Sequence, residues 1–201
     1  MSRALLIRIK RAPPATRYHG VMMNAGVDAN VADCEPDAET RCTDAGADIP
    51  SDPRALVDHI LTRFHAVHRC ELPELCTLAR RVEKTHASHP QCPQGLAALL
   101  DAMLSDLEDH MVREERVLFP TLLAGGGGCA PLAMRKMRLE HDVHQTHLAE
   151  LEALTRGFTP PPDACGSWRA LYQGCKKLSD DLRRHIAIEN DVLFPLYEKT
   201  P

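Results

Sequence analysis

The sequence predicts an all-α protein: an up-down-up-down antiparallel four-helix bundle behind a flexible N-terminal extension. Three observations lead there. From residue 51 onward, apolar residues recur at alternating three- and four-residue steps in four separate stretches, the period of a helix that buries one face. No segment of that region alternates as a strand does, and none carries a hairpin turn signal. Each stretch ends at proline or glycine and a short connection leads to the next, which favours antiparallel neighbours.

Residues 1–50 differ in kind. They carry Pro13-Pro14, scattered Gly, Asn and Asp, and no sustained apolar period, so a flexible or poorly ordered extension is expected, with at most a short helix near Ala4 to Lys10. Cys34 and Cys42 would be its accessible thiols. Residues 51–201 are read as the bundle. Ser51-Asp52-Pro53 is a cap followed by proline at the first helical position. The stripe Leu61, His65, His68, Leu72, Leu75, Ala79, Val82 and His86 follows, with Pro73 expected to bend it and His89-Pro90 to stop it. Pro93 is expected to open the second helix, whose stripe is Leu96, Leu100, Met103, Leu107, His110, Glu114 and Val117, and Gly125–Gly128 to end it. The third, about 131–156, presents Met137, His141, His144, Leu148 and Leu151. After Thr159-Pro160-Pro161-Pro162, the fourth, about 164–197, presents Leu171, Cys175, Leu178, Leu182, His185, Glu189, Val192 and Leu196.

One pattern occurs twice. Asp106–Pro120 reads DLEDHMVREERVLFP and Asp181–Pro195 reads DLRRHIAIENDVLFP, giving Asp-x3-His-x3-Glu-x4-Phe-Pro in both. Residues four apart lie one turn along nearly the same helix face, so His110 and Glu114, like His185 and Glu189, can hold one cation or bridge two. A single His-x3-Glu is more often a surface pair; two copies inside one longer pattern reverse those odds.

All four core stripes carry a histidine near the middle, His65, His110, His141 and His185, and two add a glutamate. Buried unpaired imidazoles and carboxylates are costly unless something neutralises them, so the six are expected to converge on one layer as a metal site. Six donors exceed the four of a structural zinc site, and no cysteine shares the layer. Two iron ions bridged by Glu114 and Glu189 would each receive two imidazoles and two carboxylate oxygens. With an oxo or hydroxo bridge, each keeps a position for NO or O2. A majority of histidine over carboxylate argues against high-valent hydroxylation chemistry. Asp106 and Asp181, one turn before their histidines, are candidates to accept the second ring N–H. His68 and His144 are placed as hydrogen-bonded neighbours, and His86, about 31 Å along the helix from His65, lies outside the site. His19, His59, His89 and His147 read as surface or packing residues. Phe119 and Phe194 are expected to wall the layer, with Pro120 and Pro195 loosening a backbone bond beside it.

A net charge of -4 and a pI near 6.2 leave no basic footprint for nucleic acid. No apolar run approaches the roughly 20 residues of a membrane span, and Arg8 and Lys10 interrupt the short apolar start too early for a secretory signal. A cytoplasmic location is expected. The eight dispersed cysteines, without any Cys-x2-Cys, suit reduced thiols, Cys175 being a packing residue.

The doubled His-x3-Glu-x4-Phe-Pro motif with single histidines on the first and third helices resembles the hemerythrin-like fold. Val57-Asp58-His59-Ile60-Leu61, His65-x2-His68-Arg69-x2-Leu72-Pro73-Glu74-Leu75, Glu140-His141-Asp142, Thr159-Pro160-Pro161-Pro162 and Trp168-Arg169-Ala170-Leu171-Tyr172 narrow the resemblance to the RIC proteins, for repair of iron centres, and their NorA-type relatives. The resemblance spans about Pro53 to Tyr197. It implies a non-haem di-iron centre on His65, His110, Glu114, His141, His185 and Glu189, and a role in nitrosative or oxidative stress. It also implies damaged iron–sulfur proteins as partners, while NO coupling would need an unidentified electron donor as well. His86 falls on a histidine the family carries. The Cys-Cys-bearing front domain usual in RIC proteins has no counterpart in residues 1–50. The favoured expectation is NO binding at the di-iron centre with repair of damaged iron–sulfur clusters; the alternatives are an NO or O2 buffer without repair, and an enzyme coupling NO to N2O.

Overall fold

In the computed structural model, residues 49–198 are described. Residues 1–48 of the expected 1–50 extension, with its Ala4 to Lys10 helix, His19, Cys34 and Cys42, lie outside them, as do residues 199–201. Helix α1 (53–85) comprises Pro53–Ile60, a widened turn Leu61–His65, and Ala66–Thr85. Helix α2 (96–123) comprises Leu96–Arg113, a second widened turn Glu114–Leu118, and Phe119–Leu123. Helix α3 is Ala130–Leu154, and α4 (166–193) joins Gly166–Ile188 to a third widened turn, Glu189–Leu193, before the short Pro195–Glu198. No strand occurs among the described residues. α1 packs on α2 and α4, α2 on α3, and α3 on α4, the closed ring of a four-helix bundle.

Local chemistry accounts for the ends. Asp52 caps α1 by accepting the Ala55 N–H at 2.9 Å, with Pro53 at the first helical position. The chain continues helically through Pro73 to Thr85. Helix α2 begins at Leu96 rather than Pro93, because Gly95 sits at φ 93°, a left-handed conformation no helix continues. Its first turn is capped from α1, where Glu83 Oε1 accepts the Ala97 N–H at 2.8 Å. Helix α3 ends where Arg156, Gly157 and Phe158 all take positive φ ahead of the proline run.

The core is split. One apolar cluster, including Leu72, Leu100, Trp168 and Leu182, fills the half of the bundle holding the 85–96 and 154–166 connections; the other, including Leu56, Phe64, Leu122 and Phe194, fills the opposite half. Between them lies a layer of buried histidines and glutamates. Four expected apolar stripe positions beside the widened turns fail: Val117 and Leu196 are exposed and Leu61 and Val192 are half-buried, while Phe64, Leu118 and Leu193 are buried instead. Each of these lies in or just beyond a widened turn, which holds one more residue than an α-turn and moves the inward face on by one.

Candidate metal centre

The three widened turns coincide with the candidate donors. His65 closes the first, and Glu114 and Glu189 open the other two. In each, the N–H of the following residue reaches back five positions: Ala66 to Leu61 O, Phe119 to Glu114 O, and Phe194 to Glu189 O at 2.9 Å. Such π-turns concentrate at functional sites, because the spread turn re-aims a side chain without ending the helix. Pro120 and Pro195 follow directly, where an absent N–H and a bulky ring would break a regular ladder.

The structure brings all six residues together, each 0–1% exposed. Their donor atoms form two interlocked quartets, His65, Glu114, His185 and Glu189 in one and His110, Glu114, His141 and Glu189 in the other, the atoms of each within 4.8 Å of one another. All four imidazoles present Nε2. His65 Nε2 is 3.3 Å from Glu114 Oε2, and His110 Nε2 is 3.2 Å from Glu114 Oε1. His185 Nε2 is 3.2 Å from Glu189 Oε1, and His141 Nε2 is 3.0 Å from Glu189 Oε2. Each carboxylate therefore gives one oxygen to each quartet, the disposition of two bridging ligands between two cations.

The outer partners differ from those expected. Asp106 does not reach His110; it is half exposed, 4.0 Å from His147 Nε2. Asp181 is taken by Arg63 Nη2 at 2.7 Å and Lys177 Nζ at 2.9 Å. The ring N–H groups turn to other helices instead. His65 Nδ1 pairs with Glu115 Oε1 at 2.8 Å, His110 Nδ1 with Glu140 Oε2 at 2.9 Å, and His141 Nδ1 with Asn190 Oδ1 at 3.0 Å. These oxygens only accept, so Nδ1 carries the proton and Nε2 is left free to meet a metal. Each partner is the immediate sequence neighbour of a donor on the adjoining helix: Glu115 of Glu114, Glu140 of His141, Asn190 of Glu189. That adjacency was the signal available in the sequence. For His185 the corresponding neighbour is Phe64, whose ring stacks on it at 5.2 Å.

The electrostatics favour cations in the layer. Burial opposes charge on His110, but the carboxylates of Glu114, Glu140 and Glu189 outweigh it and push its pKa up to about 10. His65 is raised by Glu114, Glu115 and Glu189 against the same opposition. Burial would raise Glu189, yet His185 and His141 hold it well below the carboxylate range. Protons and metal ions thus compete for the same nitrogens. Neither oxygen of the fully buried Glu114 has a hydrogen-bond partner, nor does His65 Nε2. A buried carboxylate so placed is costly unless a cation meets it. Nitrogen and oxygen donors without sulfur, two shared carboxylates and two imidazoles per quartet fit a non-haem di-iron centre.

His68 and His144 lie next to the layer but are not hydrogen-bonded as expected. Both ring nitrogens of His68 and Nε2 of His144 are buried without a partner. Burial lowers His68 well below the usual imidazole range, helped by His185, and lowers His144 to about 3, helped by His110 and His141. Both are neutral imidazoles at neutral pH. Phe119 stacks on His65 at 5.8 Å and Phe194 on His141 at 6.1 Å, walling the layer. His86 lies elsewhere, its Nε2 3.1 Å from Cys165 Sγ and its ring 4.9 Å from Trp168. His89 pairs with Asp163 at 3.2 Å, while His59 packs edge-on to Phe64.

The profile of the Hemerythrin HHE cation binding domain matches residues 56–197. The chain is 44% identical over 140 residues to the "Probable iron-sulfur cluster repair protein" of Haemophilus influenzae, covering 70% of this chain and 63% of that protein. It is 46% identical over 140 residues to the iron-sulfur cluster repair protein YtfE of Cronobacter sakazakii, with the same coverage. With YtfE of Musicola paradisiaca it shares 43% over 164 residues, 78% of this chain and 74% of the relative. The chain thus spans somewhat under two thirds of the first two relatives. From the doubled motif, the paired quartets and these matches, the chain belongs to the hemerythrin HHE cation-binding family, and within it groups with the proteins named for iron–sulfur cluster repair.

Proposed function

We propose that residues 51–201 form a di-iron bundle that takes part in the response to nitrosative and oxidative stress and contributes to repair of damaged iron–sulfur clusters. His65, His110, His141 and His185 are its terminal ligands and Glu114 and Glu189 its bridges. The observation that carries this is the sharing of Glu114 and Glu189 between two quartets, with both oxygens of Glu114 and Oε2 of Glu189 buried and without a hydrogen-bond partner. The names of the relatives supply the repair role. When bound, the iron pair supplies redox-active, Lewis-acidic positions for a diatomic ligand such as NO or O2.

The chain's own residues set the terms of that chemistry. Glu115, Glu140 and Asn190 fix the imidazole tautomers, and Phe64, Phe119 and Phe194 exclude water from the layer. Burial of all six donors limits access to small ligands, in keeping with NO or O2 rather than an extended substrate. A cytoplasmic setting is part of the proposal, and among the described residues no helix is long and apolar enough to cross a membrane. Damaged iron–sulfur proteins are the proposed partners, with an unidentified electron donor. Residues 1–50 are proposed as an extension separate from the bundle.

The test mixes iron-loaded protein with an iron–sulfur dehydratase inactivated by NO or peroxide and follows recovered dehydratase activity. Recovery with the native protein and its loss with Glu189→Leu is expected. Recovery equal to that from free ferrous iron at the same concentration overturns repair. In parallel, N2O release from reduced protein and NO would favour turnover, whereas stable NO uptake without it would favour binding.

A further inference from the structure

We infer that the two metal positions are unequal: the position between His65 and His185 gives up its ion first, and the position between His110 and His141 retains it. This rests on the di-iron reading above and assigns the releasable ion to one named half of the centre.

Outer hydrogen bonds fix an imidazole ligand and raise its basicity, and their loss typically lowers metal affinity about 10–100-fold. In the His110–His141 half both rings are braced. Glu140 receives His110 Nδ1 and is itself held by Arg113 Nη2 at 3.0 Å. Asn190 receives His141 Nδ1, and Arg138 Nη1 grips its backbone oxygen at 3.3 Å and its side-chain oxygen at 3.2 Å.

The other half is weaker at one of its two rings. His65 is braced as His110 is: Glu115 Oε1 pairs with His65 Nδ1 at 2.8 Å and accepts Arg69 Nη1 at 2.7 Å, so the difference between the halves lies at His185. His185 Nδ1 is buried and has no hydrogen-bond partner. Where the other three rings meet an oxygen, His185 meets the Phe64 face, with the unpartnered His68 ring 5.6 Å away. Stacking restrains tilt but adds no basicity to Nε2.

A second observation concerns the way out. A surface groove of about 470 Å³, lined in part by Arg54, Asp58, Leu61, Glu115 and Phe119, lies over this half. Glu115 and Phe119 both touch His65 and also line the groove. Of the charged residues lining it, Asp58 and Glu115 outnumber Arg54. On the braced side, Glu140 faces both Arg113 and Lys136, a balance unfavourable to a departing cation.

The experiment challenges the iron-loaded full chain with excess ferrous chelator under anaerobic conditions and follows release by absorbance. One equivalent is expected in a fast phase and the second roughly tenfold or more slower. Asn190→Ala should speed the slow phase about 10–100-fold with the fast phase unchanged, and Asn190→Asp, which keeps an acceptor, should restore it. Glu115→Gln should speed the fast phase alone. Half-depleted protein refilled with Mössbauer-active iron should show one labelled environment. Release of both equivalents in a single phase overturns the inference, as does acceleration of only the fast phase by Asn190→Ala. Protein that never holds two equivalents counts instead against the di-iron reading beneath it.

Discussion

Replacing Glu114 by Gln separates a shared bridge from a ligand belonging to one metal. Glu114 offers Oε2 beside His65 and Oε1 beside His110, so the change weakens both quartets at once, whereas His141→Ala touches only the second. Native protein is expected to hold two iron equivalents after desalting, His141→Ala about one and Glu114→Gln close to none. Linkage gives the stability consequence: metal at a thousandfold above its dissociation constant adds about 4 kcal/mol. At about 2–4 °C per kcal/mol for a chain of this size, the metal-dependent rise in Tm is about 8–16 °C per tightly held site. That rise should be halved in His141→Ala and absent in Glu114→Gln. The assay is elemental iron analysis beside calorimetry with and without metal. If Glu114→Gln keeps one equivalent with an undiminished Tm shift, Glu114 does not bridge and the two quartets are independent.

Three further outcomes follow from residues away from the donors. Trp168 is fully buried in the cluster remote from Phe64 and Phe194, so Trp168→Ala should cost about 3–5 kcal/mol and lower Tm by about 6–20 °C while leaving iron content unchanged. Burial pushes the Cys175 thiol up to about 12, so peptide mapping after alkylation at pH 8 should find it reacting on the order of a thousandfold more slowly than exposed Cys165 until the chain is unfolded. Burial would raise Asp181, but Arg63 and Lys177 outweigh it and lower its pKa below 3.8. Its contribution to stability is therefore present above 3.8 and lost as pH falls through the lowered value. Asp181→Asn should cost about 1–2 kcal/mol in metal-free protein at neutral pH, a difference that vanishes on acidification; a constant difference down to pH 2 would refute the ion-pair account.

The helices were legible because their boundaries rest on local chemistry: the Asp52 cap, Pro53, and the glycine and proline runs act on the backbone within a few residues. The convergence of six candidate donors was legible because polar residues interrupt apolar stripes in a doubled pattern. Their outer partners were not. Reasoning within one helix points to Asp106 and Asp181, four residues before a histidine, but those carboxylates face away or are held by cations of neighbouring turns. Glu115, Glu140 and Asn190 work across helices, through packing offsets that no single-helix period encodes. His68 and His144 are a different failure: hydrogen bonding is the usual fate of a buried imidazole, and here buried ring nitrogens go without it beside the donor layer.

The widened turns were the other hidden feature, and they lead to a prediction that isolates their purpose. A regular helix places residues 110, 114, 117, 118 and 121 on one face. The protein buries His110, Glu114, Leu118, Phe119 and Leu122, the same face advanced by one residue after Glu114. Deleting Arg116, which is exposed within the turn, moves Leu118, Phe119 and Leu122 back onto the regular positions. The apolar face then continues as an unbroken α-helix, so the metal-free variant should fold, with far-ultraviolet circular dichroism unchanged and Tm within about 4 °C of native, a shift of about 1 kcal/mol. What the deletion removes is the five-residue reach of Phe119 N–H to Glu114 O, and with it the spread backbone that aims Glu114 between His65 and His110. Iron content should fall as it does for Glu114→Gln. A deletion variant that folds and still holds two equivalents would show that the widened turn is a tolerated insertion, and that the aim of Glu114 is set by the surrounding packing alone.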